Sequence, residues 1–405
     1  MSIIKTYIER PFVLDRISPF IGKPVIKVLV GQRRVGKSFL LYQIMDALRK
    51  KGVSNARIVY INKELHEFDD IRTDRDLLAY IETRAPKGKD PIRVFIDEIQ
   101  EIDRFEKALR SLVALGGYDL YCTGSNARML SGELATGLGG RAVEIRVHAL
   151  TFPEFLRFHR LAPSPQSLET YIRLGGLPFL IHLPPEERTV YEYLRSVYGA
   201  ILFKDVIRRH NIRNPAFLER LVLFLADNVG SLVSAKKISD FLKAQSSKIS
   251  PNIVLDYLGY LTESYAVHRA RRYDIAGNKI FEIGEKYYFE DLGLRHALVG
   301  FRQVDIHKTV ENLVFVHLTA AGFEVMVGKT NGGEIDFVCR RDGERLYVQT
   351  VYLLADKKTR EREFGRLLEI KDNYPKYVVS MDPMAGGNVQ GVRHIALLDF
   401  LQKTW

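Results

Sequence analysis

Gly31-Gln32-Arg33-Arg34-Val35-Gly36-Lys37-Ser38 is a complete G-x-x-x-x-G-K-S loop. Glycine at both ends lets the backbone curl so that its N–H groups converge on an anion. Lys37 then reaches the outer phosphate oxygens, and Ser38 offers a hydroxyl to Mg²⁺. The flanks suit that chemistry. Residues 25–30 read as a buried strand, and residues 39–44 open an amphipathic helix whose N-terminus faces the phosphates. The expected nucleotide-binding set is Gly31, Gln32, Arg33, Arg34, Val35, Gly36, Lys37, Ser38 and Phe39. The ligand this predicts is a nucleoside triphosphate, taken as ATP with Mg²⁺.

A binder becomes a hydrolase when a second strand supplies carboxylates. Arg93-Val94-Phe95-Ile96-Asp97-Glu98 is an apolar strand ending in two acids. The C-terminal end of a parallel strand is where a ligand site is expected. Asp97, with Ser38, is expected to order the metal, and Glu98 to polarise the attacking water. Leu120-Tyr121-Cys122-Thr123 is a third strand, followed by Gly124-Ser125-Asn126. Asn126 is the expected polar sensor beside the γ-phosphate, with Ser125 second. Asn62, after the buried run Ile58-Val59-Tyr60-Ile61, either gates the catalytic carboxylate or caps its own strand.

At 405 residues the chain predicts two or three domains. Its 46% hydrophobic and 27% charged content is that of a soluble globular protein, with no apolar run long enough to cross a bilayer. Cys122 and Cys339 match no metal spacing and read as buried free thiols, so the cytoplasm is the expected compartment. A net charge of +11 points to a polyanionic partner. Lys204, Arg208, Arg209 and Arg213 form one basic cluster, Arg269, Arg271 and Arg272 a second, and the stretch from Arg340 to Arg360 a third.

These strings resemble the AAA+ ATPases of prokaryotes, in particular a family with a C-terminal domain of unknown function. The resemblance rests on the G-Q-R-R-V-G-K-S loop, F-I-D-E-I-Q, T-G-S-N-A and L-G-G-R. Downstream it extends to Leu174-Gly175-Gly176-Leu177-Pro178, Lys204-Asp205-Val206, the run from Lys286 to Leu294, and Gly333-Glu334-Ile335-Asp336-Phe337. It implies an α/β fold whose first part is a P-loop parallel sheet with flanking helices. It also implies that Arg141 is a finger reaching a neighbouring subunit's γ-phosphate, in a homo-oligomer for which a hexameric ring is one form.

The expected domains are an ATPase at 1–150, a helical connector at 151–214, a winged helix-turn-helix at 215–283 and an α/β restriction-endonuclease-like domain at 284–405. The winged helix is read from three helices and a hairpin around Gly277-Asn278, with Asn252, Lys248 and Arg271 as DNA contacts. The helix–strand–strand–strand order after residue 310 resembles the PD-(D/E)XK nuclease core. Asp336 stands at its aspartate position, with Glu311 on the preceding helix. Gln349 and Val351 replace the metal-binding glutamate and the lysine, so a degenerate binding domain is expected rather than a nuclease. The overall reading is Mg-dependent ATP hydrolysis coupled to DNA, without a membrane. The rivals are a nucleotide-dependent switch acting on a protein, and a metal-dependent DNA nuclease.

Overall fold

Ile26–Val30 is buried at all five positions, as a strand flanked by helices on both faces must be. In the computed structural model, which describes residues 7–86, 88–126, 139–243, 249–330, 332–382 and 386–405, this strand is the centre of the first of two compact units. The first unit comprises residues 1–148 with 263–265, and the second 149–262 with 266–405.

The first unit runs α1 (Pro11–Ile17), β1 (Ile26–Val30), α2 (Lys37–Lys50), β2 (Ile58–Asn62), α3 (Asp74–Arg84), β3 (Ile92–Asp97), α4 (Phe105–Leu115), β4 (Tyr118–Gly124) and β5 (Ala142–Arg146). Its five strands are all parallel in the order β2-β3-β4-β1-β5. This confirms the expected P-loop α/β sheet. Strand β4 lies between β1 and β3, so the loop strand and the acidic strand both end beside Thr123. One sheet face buries Val28, Ile61, Val94, Ile96 and Leu120 against Leu109 and Leu112 of α4, and Tyr265 joins that core. The 3–4 spacing of apolar residues in α4 brings Phe105, Ala108, Leu109 and Leu112 onto one stripe.

The other face carries a buried ion pair. Lys27 is fully buried, and its ammonium pairs with the Asp119 carboxylate of β4. The Tyr121 hydroxyl donates to Asp119 at 2.8 Å, and the Gly22 N–H donates to it at 3.1 Å. Burial lowers the pKa of Lys27, while the Asp119 contact works against that shift.

The second unit begins with α5 (Phe152–His159), α6 (Pro165–Leu174) and α7 (Glu187–Ala200), which continues as a π-helix over Ile201–Arg208. Then come α8 (Pro215–Asp227), α9 (Ala235–Lys243), α10 (Pro251–Glu263), β6 (Val267–Asp274), β7 (Lys279–Phe289), α11 (Leu292–Val299) and α12 (Ile306–Ala320). The chain finishes with β8 (Glu324–Thr330), β9 (Gly333–Arg341), β10 (Glu344–Val351), α13 (Lys357–Leu368), β11 (Lys376–Ser380), β12 (Asn388–Val389), β13 (Val392–Ala396) and α14 (Leu397–Gln402). Strands β6 to β13 form one mixed sheet in the order β12-β13-β11-β10-β9-β8-β6-β7.

The expected division at 283/284 falls within β7 of that sheet. Strand β7 runs through it to Phe289, and β6 pairs in parallel with β8 through Arg272 and Val327. The three helices and the hairpin occur in the expected order, but the hairpin is the edge of the C-terminal sheet. The reason is apolar: Tyr287, Tyr288 and Phe289 extend β7 into the core, where Tyr288 stacks on Phe315 of α12 at 4.2 Å.

Two sequence strings of this unit lock together. The Gly176 N–H donates to Asp291 Oδ2 at 2.6 Å, and Asp291 Oδ1 caps α11 through the Leu294 N–H at 3.0 Å. A Cβ at Gly293 would collide with the Leu174 carbonyl oxygen, so this close approach requires glycine. Complete burial pushes the Asp291 pKa up to about 6. Cys122 and Cys339 are buried free thiols, as expected.

Asp119→Ala is expected to destabilise the protein by about 3–5 kcal/mol, because it leaves a buried ammonium without its counter-charge. Urea unfolding monitored by circular dichroism measures this. Loss of the first transition midpoint is the expected outcome, whereas an exposed pair would shift it by about 0–1 kcal/mol.

Candidate functional site

The loop between β1 and α2 closes on the end of the first unit. Gly31 has φ of +152°, and a Cβ there would strike the carbonyl oxygen of Val147. Val147 in turn donates its N–H to the Val30 carbonyl at 2.7 Å. Gly36, with φ of +94°, turns the chain into α2. The Lys37 ammonium folds back over the loop, donating to the Gly31 and Gln32 carbonyls at 2.9 Å each.

An anion suits this cradle. Gln32 is fully buried, and neither its amide oxygen nor its nitrogen has a hydrogen-bond partner among the described residues. Arg33 is half-buried, Arg34 is exposed with φ of +68°, and Val35 is fully buried. Phe39 is 43% exposed beside the loop and makes an edge contact with Tyr42.

The carboxylates stand at the same end of the sheet. Asp97 ends β3, and its Oδ1 accepts the Thr123 hydroxyl at 2.5 Å. It also accepts a side-chain hydrogen bond from Ser38, and the Tyr60 hydroxyl stands 3.5 Å from Oδ2. Burial raises the Asp97 pKa, and the neighbouring Glu98 charge adds to that. The Thr123 and Ser38 hydrogen bonds and the Lys37 charge oppose it. A hydroxyl and a buried carboxylate in contact are the donor set that a hard divalent cation takes. Glu98 is buried with φ of +55°, and its N–H donates to the Thr123 oxygen at 2.9 Å. Gln100 hydrogen-bonds the Glu98 carboxylate.

The remaining sequence-derived residues divide. Asn126 is buried, two residues beyond Gly124, which pairs in register with Val30. It therefore leaves β4 at the level of the loop. Asn62 stands opposite Asp97 in the ladder, but its side-chain oxygen accepts the Glu64 N–H at 2.9 Å, capping its strand end. Arg141 is exposed, and its carbonyl accepts the Ile26 N–H at 2.8 Å. That puts it at the start of β1, about five strand residues or roughly 15 Å from the loop of its own subunit.

Sequence reasoning missed three residues here. Thr123 holds the Asp97 carboxylate and the Glu98 backbone, and its signal was a hydroxyl at the end of the strand beside them. Tyr60 reaches Asp97 from β2. Arg10, 3% exposed, donates to the Val35 carbonyl at 2.9 Å and to the His148 carbonyl at 3.1 Å. It thereby ties the N-terminal segment to the loop and to residue 148.

The second unit brings together the acids read as nuclease-like. The Asp336 carboxylate accepts the Thr350 N–H and hydroxyl at 2.7 Å each, and the Asp336 N–H donates to Gln349 at 3.2 Å. Glu311 accepts from the Tyr288 hydroxyl at 2.7 Å and from Lys286 at 2.8 Å. Lys286, on β7, also pairs with Glu334 at 2.6 Å. Burial, followed by the Asp336 charge, pushes the Glu311 pKa up to about 7. Burial alone would lower the Lys286 pKa, but the surrounding carboxylates outweigh it and hold it raised. Val351 offers no ammonium; one arrives instead from a different strand. Of the expected DNA contacts, Asn252 and Arg271 are exposed, and Lys248 lies outside the described residues.

A family profile described as an AAA domain matches residues 23–156, and one described as a domain of unknown function matches residues 165–305. An uncharacterized protein of Haemophilus influenzae is 33% identical over 402 residues, covering 98% of this chain and 99% of the relative. An uncharacterized protein of Methanocaldococcus jannaschii is 30% identical over 353 residues, 84% of this chain and 77% of the relative. Among solved structures, the Walker-type ATPase PABY2304 of Pyrococcus abyssi is 16% identical, with a TM-score of 0.47, covering 73% of this chain and 96% of that one.

Thr123→Val is expected to weaken divalent-ion affinity 10- to 100-fold, the usual effect of losing a residue that orients a metal ligand. Mn²⁺ titration with a non-hydrolysable ATP analogue measures it. A metal held by Asp97 would need the ionised carboxylate, and the Asp97 pKa is raised. Affinity should therefore fall, as the pH is lowered, at a higher pH than for an ordinary aspartate.

Proposed function

The chain belongs to the AAA+ family of P-loop ATPases, and from that premise we propose that it hydrolyses MgATP in a homo-oligomer and couples turnover to nucleic acid. The observation that carries the reading is the Thr123 contact, which holds the Asp97 carboxylate and the Glu98 backbone beside Ser38. Residues 31–39 would hold the nucleotide, with Lys37 leaving its carbonyl partners for the phosphate oxygens. Ser38 and Asp97 would hold Mg²⁺, which offsets charge on the β- and γ-phosphates when bound. Glu98 would take the proton of the attacking water, and Asn126 would align that water. Asn62 would help to position the acids from the neighbouring strand.

Arg141 is the proposed finger. Its place at the far end of the sheet from its own loop supports action on a neighbouring subunit, which makes hydrolysis depend on assembly. The C-terminal unit is proposed to bind rather than cut, because Lys286 already supplies the cluster of Glu311, Glu334 and Asp336 with a counter-charge. No helix among the described residues is long and apolar enough to cross a membrane. The cytoplasm is the proposed compartment, and DNA the proposed partner.

Lys37→Ala is expected to abolish tight ATP binding. Glu98→Gln should bind ATP yet lose turnover by at least about 100-fold, the scale of a missing general base. Steady-state phosphate release and a fluorescent nucleotide measure the two. Retained hydrolysis in Glu98→Gln overturns its role.

Arg141→Ala is expected to bind nucleotide without hydrolysing it, and mixing with Lys37→Ala subunits should restore part of the rate. Rates with single-stranded, duplex and branched DNA test the coupling, and an unchanged rate with all three counts against it.

A further inference from the structure

The basic stretches of the second unit are not equivalent, because most of their cations are already engaged. Arg269 pairs with Glu285, Arg341 with Glu344, and Arg362 and Arg366 with Glu363. Arg340 lies over the Tyr273 ring at 4.1 Å. Residues 201–213 differ. They hold four cations against one carboxylate, Asp205, which is buried. Lys204, Arg208 and Arg213 are exposed and form no ion pair among the described residues. The Nη1 of half-buried Arg209 is itself buried without a hydrogen-bond partner among them.

The backbone organises this charge. Over the π-helix Ile201–Arg208, two buried residues alternate with two outward ones. Ile201, Leu202, Asp205 and Val206 face in, while Phe203, Lys204, Ile207 and Arg208 face out. Eight residues of π-helix exceed the usual single-turn bulge, a rare geometry that is common at functional sites. Phe203 is 60% exposed on that face. An aromatic ring flanked by unpaired cations is a stacking platform with phosphate anchors, the combination that binds unpaired bases.

We infer that the outer face of the π-helix, with Arg213, is a binding surface for single-stranded nucleic acid, with Phe203 stacking on a base and Lys204, Arg208 and Arg213 on its phosphates. This rests on the nucleic-acid reading above and replaces the third helix, α10, as the main contact. Duplex lacks unstacked bases for Phe203, so single strands are preferred.

Fluorescence anisotropy of the full-length protein with labelled oligo-dT, oligo-rU and a duplex, across a salt series, tests it. Removing three phosphate contacts from a single strand should lower the salt slope by about 2. Lys204→Ala/Arg208→Ala/Arg213→Ala is therefore expected to bind single strands at least tenfold more weakly. The control Arg341→Ala/Arg362→Ala/Arg366→Ala removes equal charge from engaged residues and should lose less than threefold.

Phe203→Ala should lose about tenfold on single strands and little on duplex. Lys204→Arg/Arg208→Lys should keep binding, which separates lost charge from lost fold. Equal losses in the two triple variants, or an equal Phe203→Ala effect on duplex, overturn this surface while nucleic-acid binding stands. No binding by the wild type to any probe at low salt, with or without MgATP, overturns both.

Discussion

A single buried carboxylate sets the terms for the first unit. Asp97 is 1% exposed at the end of an apolar strand, where an ionised group is costly unless it is solvated by donors or paired with a cation. Three neighbouring elements meet that need: Ser38 from the loop, Thr123 from β4 and Tyr60 from β2. With β4 between β3 and β1, Thr123 and the loop's Ser38 both reach the same carboxylate, that of Asp97. The strand order, the left-handed turn at Glu98 and the fold-back of Lys37 are thus parts of one arrangement. Its centre is a buried carboxylate held by hydroxyl groups from three elements.

The second unit is governed by interlocking backbone and side chains. The strings 174–178 and 286–294 are rich in glycine and acids, which invites a chemical reading. In the structure Asp291 receives the Gly176 N–H and caps a helix, and Gly293 admits the Leu174 carbonyl. These residues hold two helical segments at contact distance. The acids of the nuclease-like core are likewise engaged, Asp336 by Thr350 and Glu311 by Lys286 and Tyr288. A buried ammonium among carboxylates is an internal counter-ion, and it makes that cluster a structural element before it is anything else.

Net charge has a different meaning once partners are known. The chain's excess of +11 is spread over several stretches that look alike in sequence. Ion pairs and ring contacts occupy most of them. The stretch around the π-helix keeps Lys204, Arg208 and Arg213 facing solvent, and its only acid is turned inward. What distinguishes a surface for a polyanion is uncompensated charge, and that is a property of arrangement.

The loop at 31–38, the acids at 97–98 and the parallel sheet that carries them were legible from the sequence, because each depends on neighbours within about ten residues. Backbone curvature, strand burial and helix start are local matters, and glycine, alternating apolar runs and terminal acids write them directly. Asn62 was readable only as an ambiguity: its side-chain oxygen accepts the Glu64 N–H, the bond of a cap, while the ladder sets the residue opposite Asp97. Thr123, Tyr60 and Arg10 were not legible, since their roles exist only across strands that lie far apart in the chain. That β7 continues past residue 284 into the C-terminal sheet was not legible for the same reason: a strand's length is local, but which sheet it joins depends on partners at 324–330. The sequence by itself therefore determined the nucleotide loop, its acids and the class of sheet. The tertiary structure decided which polar groups hold those acids, where Arg141 lies and which cations stay unpaired, because each depends on what long-range packing brings within a few ångströms.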